Sequence, residues 1–325
     1  MAGSDGWTAA DLPAMDDRTS IVTGANTGIG YEASNAFAEA GATVVMACRS
    51  VELGEDARVE IEATVPNADC EVRECDLADL ASVEAFADGF LEDHDDLHVL
   101  CNNAGVMAIP RRETADGNEY QFGVNHLGHF ALTGNLLGTL RETGSEDDEP
   151  ARVVTQSSNL HRRGRMALDD LQRERSYDPW DTYGQSKLGN LLFAYELDRR
   201  LDAAGADVRS VGCHPGYAAT DLQRRGPEMR GSTLRLWSIR VANALFAQSA
   251  ERGAWPMLYG ATAEAVDGGD YVGPGGLMDM RGHPEEQRSS DRSYDREAAR
   301  RLWTVSEELT GVEYDLPAPE WEADE

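Results

Sequence analysis

Tyr183 and Lys187 stand four residues apart in the run DTYGQSKLGNLLFAYEL, and Lys187 is the only lysine among 325 residues. A tyrosine hydroxyl titrates near 10, so proton exchange near neutrality asks for about 4 kcal/mol of phenolate stabilisation. A nearby ammonium supplies it, with a compactness that arginine's planar fork cannot copy. With 10 tyrosines in the chain, a single lysine falls four residues after one by chance about 3% of the time, which lifts the pair above an ordinary surface i,i+4 contact. On a helix the two share one face. The run ARVVTQSS (151–158) ends in Ser157-Ser158, and a hydroxyl at Ser158 can hydrogen-bond a substrate oxygen beside the phenol.

A second group of residues suits phosphate. The run SIVTG (20–24) leads through Thr23-Gly24-Ala25-Asn26-Thr27-Gly28-Ile29-Gly30 straight into a helical pattern, YEASNAFAEAG (31–41). The free N–H groups and positive dipole end of such a helix face the pyrophosphate of a dinucleotide in a doubly wound sheet. Gly24 permits the tight turn, and Gly28 and Gly30 keep Cβ atoms out of the way, with Asn26, Thr27 and Ile29 completing the cradle. About 20 residues further on, an NAD site carries a carboxylate for the ribose 2′-hydroxyl. Here the second strand ends Cys48-Arg49-Ser50, and a guanidinium matches the 2′-phosphate of NADP(H). NAD(H) stays open, because the alternative for Arg49 is one more surface arginine.

These groups need a scaffold that brings strand ends together. Short apolar runs at 20–24, 42–48, 70–75, 97–105, 151–158 and 207–216 alternate with helical periodicity, the pattern of strands buried on both faces of a parallel sheet. The expected class is α/β: a Rossmann-type doubly wound parallel sheet in a single domain, 18–311, after an N-terminal extension, 1–17, and before an acidic C-terminal tail, 312–325. Residues 251–266 read as a helix, 268–276 as a last strand, 281–301 as a charged surface excursion and 302–311 as a final helix. Residues 217–250 read as a loop plus an amphipathic helix. Its stretch 232–246 carries an apolar stripe (Leu234, Trp237, Val241, Leu245) that fits the roof of a greasy pocket or a core or homo-oligomer contact equally well.

Fifty-nine acidic against 29 basic residues leave a formal charge of −30, which repels nucleic acid and anionic membranes. The acidity is spread along the chain, and with so little lysine it resembles proteins of salt-in halophiles, where salt screens self-repulsion. Five cysteines without C-x-x-C spacing read as buried thiols of a reducing cytoplasm, and no metal site is expected from the seven histidines. No apolar stretch approaches the roughly 20 residues of a membrane span. The N-terminal residues match neither a signal peptide nor an anchor, so a cytoplasmic location is expected.

The motifs TGANTGIG, CDLADL (75–80), NNAG (102–105), VNHLGHF (124–130), VVTQSSNLH (153–161), YGQSK (183–187) and HPGYAATDL (214–222) together resemble the short-chain dehydrogenase/reductase family over residues 18 to 311. The resemblance implies hydride transfer between a nicotinamide cofactor and an apolar carbonyl or alcohol. It also implies an Asn125-Ser158-Tyr183-Lys187 tetrad, in which Asn125 distorts its helix and holds a water beside the lysine. It places Asp76 and Leu77 against the adenine, Asn103, Ala104 and Gly105 along the cofactor, and Pro215, Gly216 and Thr220 around the nicotinamide; Tyr183 and Lys187 also reach the cofactor. NHLGHF, the ACRS strand end and the C-terminal RLWTVSEELTG are similar to the branch of retinol dehydrogenases and WW-domain oxidoreductases. That branch shares the long loop 159–182, expected to border the substrate. The lack of an N-terminal anchor departs from membrane-bound retinol dehydrogenases and sets a retinoid substrate in question. The alternatives are a non-catalytic NADP(H)-binding regulator and an epimerase or dehydratase, whose glycine spacing differs.

Overall fold

Side chains alternate across a strand, and the fold sorts them onto the two faces of one sheet. The computed structural model describes residues 6–217, 248–276 and 279–319. Among these, eight strands are present: β1 (Thr19–Thr23), β2 (Thr43–Cys48), β3 (Asp69–Glu74), β4 (Val99–Asn102), β5 (Ala151–Gln156), β6 (Val208–Cys213), β7 (Tyr271–Pro274) and β8 (Pro284–Glu286). They lie in the order β3-β2-β1-β4-β5-β6-β7-β8, all parallel except β8, which returns antiparallel to β7. Parallel neighbours require crossovers, and helices supply them. In chain order these are α1 (Gly28–Glu39), α2 (Val51–Thr64), α3 (Leu80–Asp93), the turn α4 (Tyr120–Phe122), α5 (Gly128–Glu146), α6 (Pro179–Ala204), α7 (Ala250–Thr262) and α8 (Arg296–Thr310).

Ile21, Val45, Leu100 and Val153 pack on one face with Phe86, Phe130 and Phe193. Val22, Val44, Met46, Cys101 and Val154 pack on the other with Phe37, Ile61 and Met257. The expected single-domain, doubly wound α/β fold is therefore present. The chain leaves β1 toward β2 on one side and reaches β4 on the other, and the crevice above that switch point is where such sheets bind ligands.

Three expectations differ. β3 is half-exposed rather than buried on both faces, because it is the sheet's edge. The stretch 281–301 is not a surface excursion: β8 extends the sheet, and α8 begins at Arg296, capped by Asp295 accepting from the Ala298 N–H at 2.9 Å. Outward arginines and glutamates mask its buried stripe of Ala299, Leu302, Trp303 and Ser306. Packing also continues past the end of the periodic pattern at 311, since Tyr314 is buried and donates its hydroxyl to the Phe130 carbonyl at 2.6 Å. At the other end Met15, within the expected extension, is buried as well. Among the described residues no helix is long and apolar enough to cross a membrane.

Candidate active site

The glycine loop sits at the carboxyl end of β1, where the backbone takes left-handed angles at Gly24 (φ 66°) and Gly28 (φ 58°). A Cβ on Gly30 would collide with the Gly24 carbonyl and lie 2.6 Å from Asn103 Nδ2. Thr27 caps α1 without a side-chain hydrogen bond, so the first-turn N–H groups stay available to a ligand. The Thr23 hydroxyl accepts from the Asn103 and Ala104 N–H groups, both at 2.9 Å, and Asn103 Nδ2 donates to the Thr23 carbonyl at 2.7 Å. These bonds fasten the ends of β1 and β4 together. Gln156 Nε2 donates to Asn103 Oδ1 at 3.0 Å and ties in β5.

One groove runs over these strand ends. Gly24, Asn26, Thr27, Gly28, Ile29, Gly30, Arg49, Asp76, Leu77, Asn103, Ala104 and Gly105 all line it, together with Tyr120, Val124 and Gln156, which the sequence did not single out. Asp76 Oδ1 holds the Ala78 N–H at 3.0 Å, while the cap of α3 is Asp79. Pro215 and Gly216 do not line the groove. They follow β6, where Gln248 Nε2 donates to the Pro215 carbonyl at 2.7 Å and Gly216 takes a φ of 64°. Thr220 and the stripe at 232–246 lie outside the described residues.

Asn125, Ser158, Tyr183 and Lys187 do not themselves line the groove, but two of them stand next to its Gly105. A Cβ there would sit 3.0 Å from Asn125 Oδ1 and 3.6 Å from Lys187 Nζ. α6 starts at Pro179 behind the Asp178 cap, and its first turns bring Tyr183 and Lys187, both buried, under the end of β5. The Ser158 hydroxyl hydrogen-bonds Tyr183, and Lys187 Nζ donates to the Gln156 carbonyl at 2.8 Å. Asn125 lies in a π-helical turn, Gly123–Leu127; its Oδ1 accepts from the Val106 N–H at 2.7 Å, and its Nδ2 donates to Ser186 Oγ at 2.9 Å.

Burial governs the electrostatics. It pushes the Tyr183 phenol up to about 12, with the Ser158 hydrogen bond pulling the other way. It pushes the Lys187 ammonium down to about 8. Burial is the largest influence on the phenol and the Ser158 hydrogen bond is the one opposing it, while the ammonium is engaged by the Gln156 carbonyl.

Two histidines brace the site. Burial holds His129 down at about 3, so it is neutral, and Nδ1–H donates to the Asn125 carbonyl at 3.1 Å. Its Nε2 therefore accepts from the Thr23 hydroxyl, 2.9 Å away, and links the π turn to the glycine loop. His161 is fully buried; its Nδ1–H donates to the Ser158 carbonyl at 2.7 Å and its Nε2 accepts from the Ser290 N–H at 3.1 Å. Neither contact is announced by the sequence, where His126 and His129 show only an i,i+3 spacing and His161 stands alone.

The short chain dehydrogenase profile matches residues 18–231. Retinol dehydrogenase 12 of Mus musculus is 41% identical over 297 residues, covering 91% of this chain and 87% of that protein. Polyprenol dehydrogenase of Homo sapiens is 36% identical over 311 residues, covering 94% of this chain and 89% of that protein. Among solved structures, an uncharacterized protein from Mycobacterium Paratuberculosis is similar with a TM-score of 0.77 at 43% identity, over 96% of this chain and 100% of that one. With its sheet order, its glycine loop and Ser158 beside the buried Tyr183-Lys187 pair, the chain belongs to the short chain dehydrogenase family of oxidoreductases.

Proposed function

We propose that the chain interconverts an alcohol and an aldehyde or ketone with NADP(H), Tyr183 acting as the general acid and base. The observation that carries this is that the glycine-lined groove reaches Gly105, next to which Asn125 Oδ1 and Lys187 Nζ stand. The groove fits a dinucleotide: Gly24 and Gly30 leave no room for a Cβ beneath it, the start of α1 offers N–H groups to a pyrophosphate, and Arg49 stands at the strand end that meets the adenosine ribose. When bound, the nicotinamide gives or takes the hydride.

The protein's own groups handle the oxygen and its proton. With its value near 12, Tyr183 keeps its proton at neutral pH, the form that donates to the oxygen of a carbonyl being reduced. Ser158, already bonded to the phenol, orients and polarises that oxygen. Lys187 supplies the positive charge that favours the phenolate left behind and grips the ribose, and Asn125 supports the return of a proton. Relatives named for retinol and polyprenol favour an apolar substrate, which the loop 159–182 would border.

The test is NADPH oxidation against a panel of apolar aldehydes and ketones in molar KCl, chosen because of the charge of −30. Turnover is expected with at least one carbonyl, and Tyr183→Phe should lower it by roughly 100- to 10,000-fold while NADPH still binds. Wild-type turnover in Tyr183→Phe refutes the assignment, and a panel without any turnover leaves the regulatory reading.

A further inference from the structure

Tyr120 lines the adenosine end of the groove beside Arg49, Ser50 and Leu77, and it is 7% exposed. Two arginines converge on it. Arg49 Nη1 donates to the Tyr120 hydroxyl at 3.3 Å, and the Arg112 guanidinium carbon lies 3.4 Å from the centre of the Tyr120 ring. The second contact is set by the backbone, since the Tyr120 N–H donates to the Arg112 carbonyl at 3.0 Å and Glu113 bridges to Glu119 just inside that pair. Neither guanidinium pairs with a carboxylate among the described residues, in a chain of 59 acidic side chains.

Bringing two cations to one ring without a carboxylate costs free energy by mutual repulsion, and an anion offsets it. The donors on offer are also those of a phosphate site. Tyr120 accepts from Arg49 and keeps its own hydroxyl proton to donate, and an arginine stacked flat on a ring leaves its N–H edge exposed. We infer that Arg112 and Tyr120, with Arg49, form the recognition unit for the 2′-phosphate of the adenosine ribose, Tyr120 positioning Arg49 and Arg112 adding a second charge. This rests on the NADP(H) reading and adds to it the residues that decide between the two cofactors.

The probes are adenosine 2′,5′-bisphosphate and adenosine 5′-monophosphate, with NADPH and NADH as the full ligands. Binding is measured by calorimetry at the lowest salt that keeps the chain folded. Wild type should prefer the 2′-phosphorylated ligand of each pair. Arg112→Ala, at an exposed side chain, and Tyr120→Leu should each cut that preference about tenfold or more, the worth of a charge-assisted hydrogen bond. Tyr120→Phe, which keeps the stack and loses the Arg49 bond, should fall between. A purely structural role would weaken both ligands of a pair together and leave the preference in place. If wild type prefers the bisphosphate and Arg112→Ala and Tyr120→Leu keep that preference within twofold, the inference is overturned while the NADP(H) reading stands. If wild type shows no preference, the NADP(H) reading falls and the inference with it.

Discussion

Replacing Lys187 by methionine should make the protein more stable and inactive at once. Burial lowers the ammonium from 10.5 to about 8, so carrying its charge at neutral pH costs the fold roughly 3 kcal/mol. Methionine has a similar volume and no charge, and it fills the space without a cavity. What it loses is the 2.8 Å bond to the Gln156 carbonyl, worth about 1 kcal/mol. That carbonyl is not orphaned, because Asn190 Nδ2 also donates to it at 2.9 Å. The net gain is about 2 kcal/mol, or roughly 3 °C in Tm for a chain of this length. The sign reverses with pH. In wild type the folded value lies below the unfolded one, so the cost is full below about 8 and vanishes as pH rises through 10.5. Melting curves of the cofactor-free proteins should therefore place Lys187→Met above wild type at pH 7 and level with it or slightly below near the top of that window. A variant that melts below wild type at pH 7, or a difference indifferent to pH, refutes the reasoning. Turnover, measured separately, should fall by at least about 100-fold.

Two further variants probe the supports of the site. Gly30→Ala drives a methyl into the Gly24 carbonyl, which is backbone and cannot step aside, so NADPH affinity by fluorescence titration should drop at least about tenfold, with a stability loss of about 1–3 kcal/mol; affinity within twofold of wild type would separate this loop from the cofactor. His161→Asn removes the ring that spans the Ser158 carbonyl and the Ser290 N–H, at a cost of about 1–3 kcal/mol for buried groups left unpaired. Its kcat should fall more than its KM rises, because Ser158 loses its support rather than its hydroxyl, and an unchanged kcat in a destabilised protein would confine His161 to folding.

What could be read from the sequence follows from how local each signal is. The strands under the site are buried, so their apolar runs are continuous, and the glycines of the loop follow from the tight turn after β1. Tyr183 and Lys187 sit on one helix, where a spacing of four is a contact by itself. The supports are different. Gln156 meets Lys187 across 31 residues, Thr23 meets His129 across 106, and Arg49 meets Tyr120 across 71, and no periodicity announces such pairs. β8 and the start of α8 were hidden because only Pro284 of β8 and Ala299 in the first turns of α8 are buried there, amid mostly charged neighbours. Spacing likewise places Tyr183 and Lys187 on one face, but it does not say how deeply both are buried or which carbonyl waits for the ammonium.

The same burial accounts for the one lysine in a chain whose other basic residues are arginine. On the surface an arginine replaces it at little cost, as its many ion pairs with aspartate and glutamate here illustrate. At position 187 the space is closed, and among the described residues the Gln156 carbonyl, already shared with Asn190, is the acceptor that the side chain reaches. A guanidinium would bring five donors to that single oxygen and hold a charge that no pH in the working range removes. An ammonium brings three, in a compact head, and at about 8 it stays charged near neutrality while remaining close to giving up its proton. Arginine can therefore serve wherever a basic residue meets solvent, while the closed space at position 187 takes the compact ammonium.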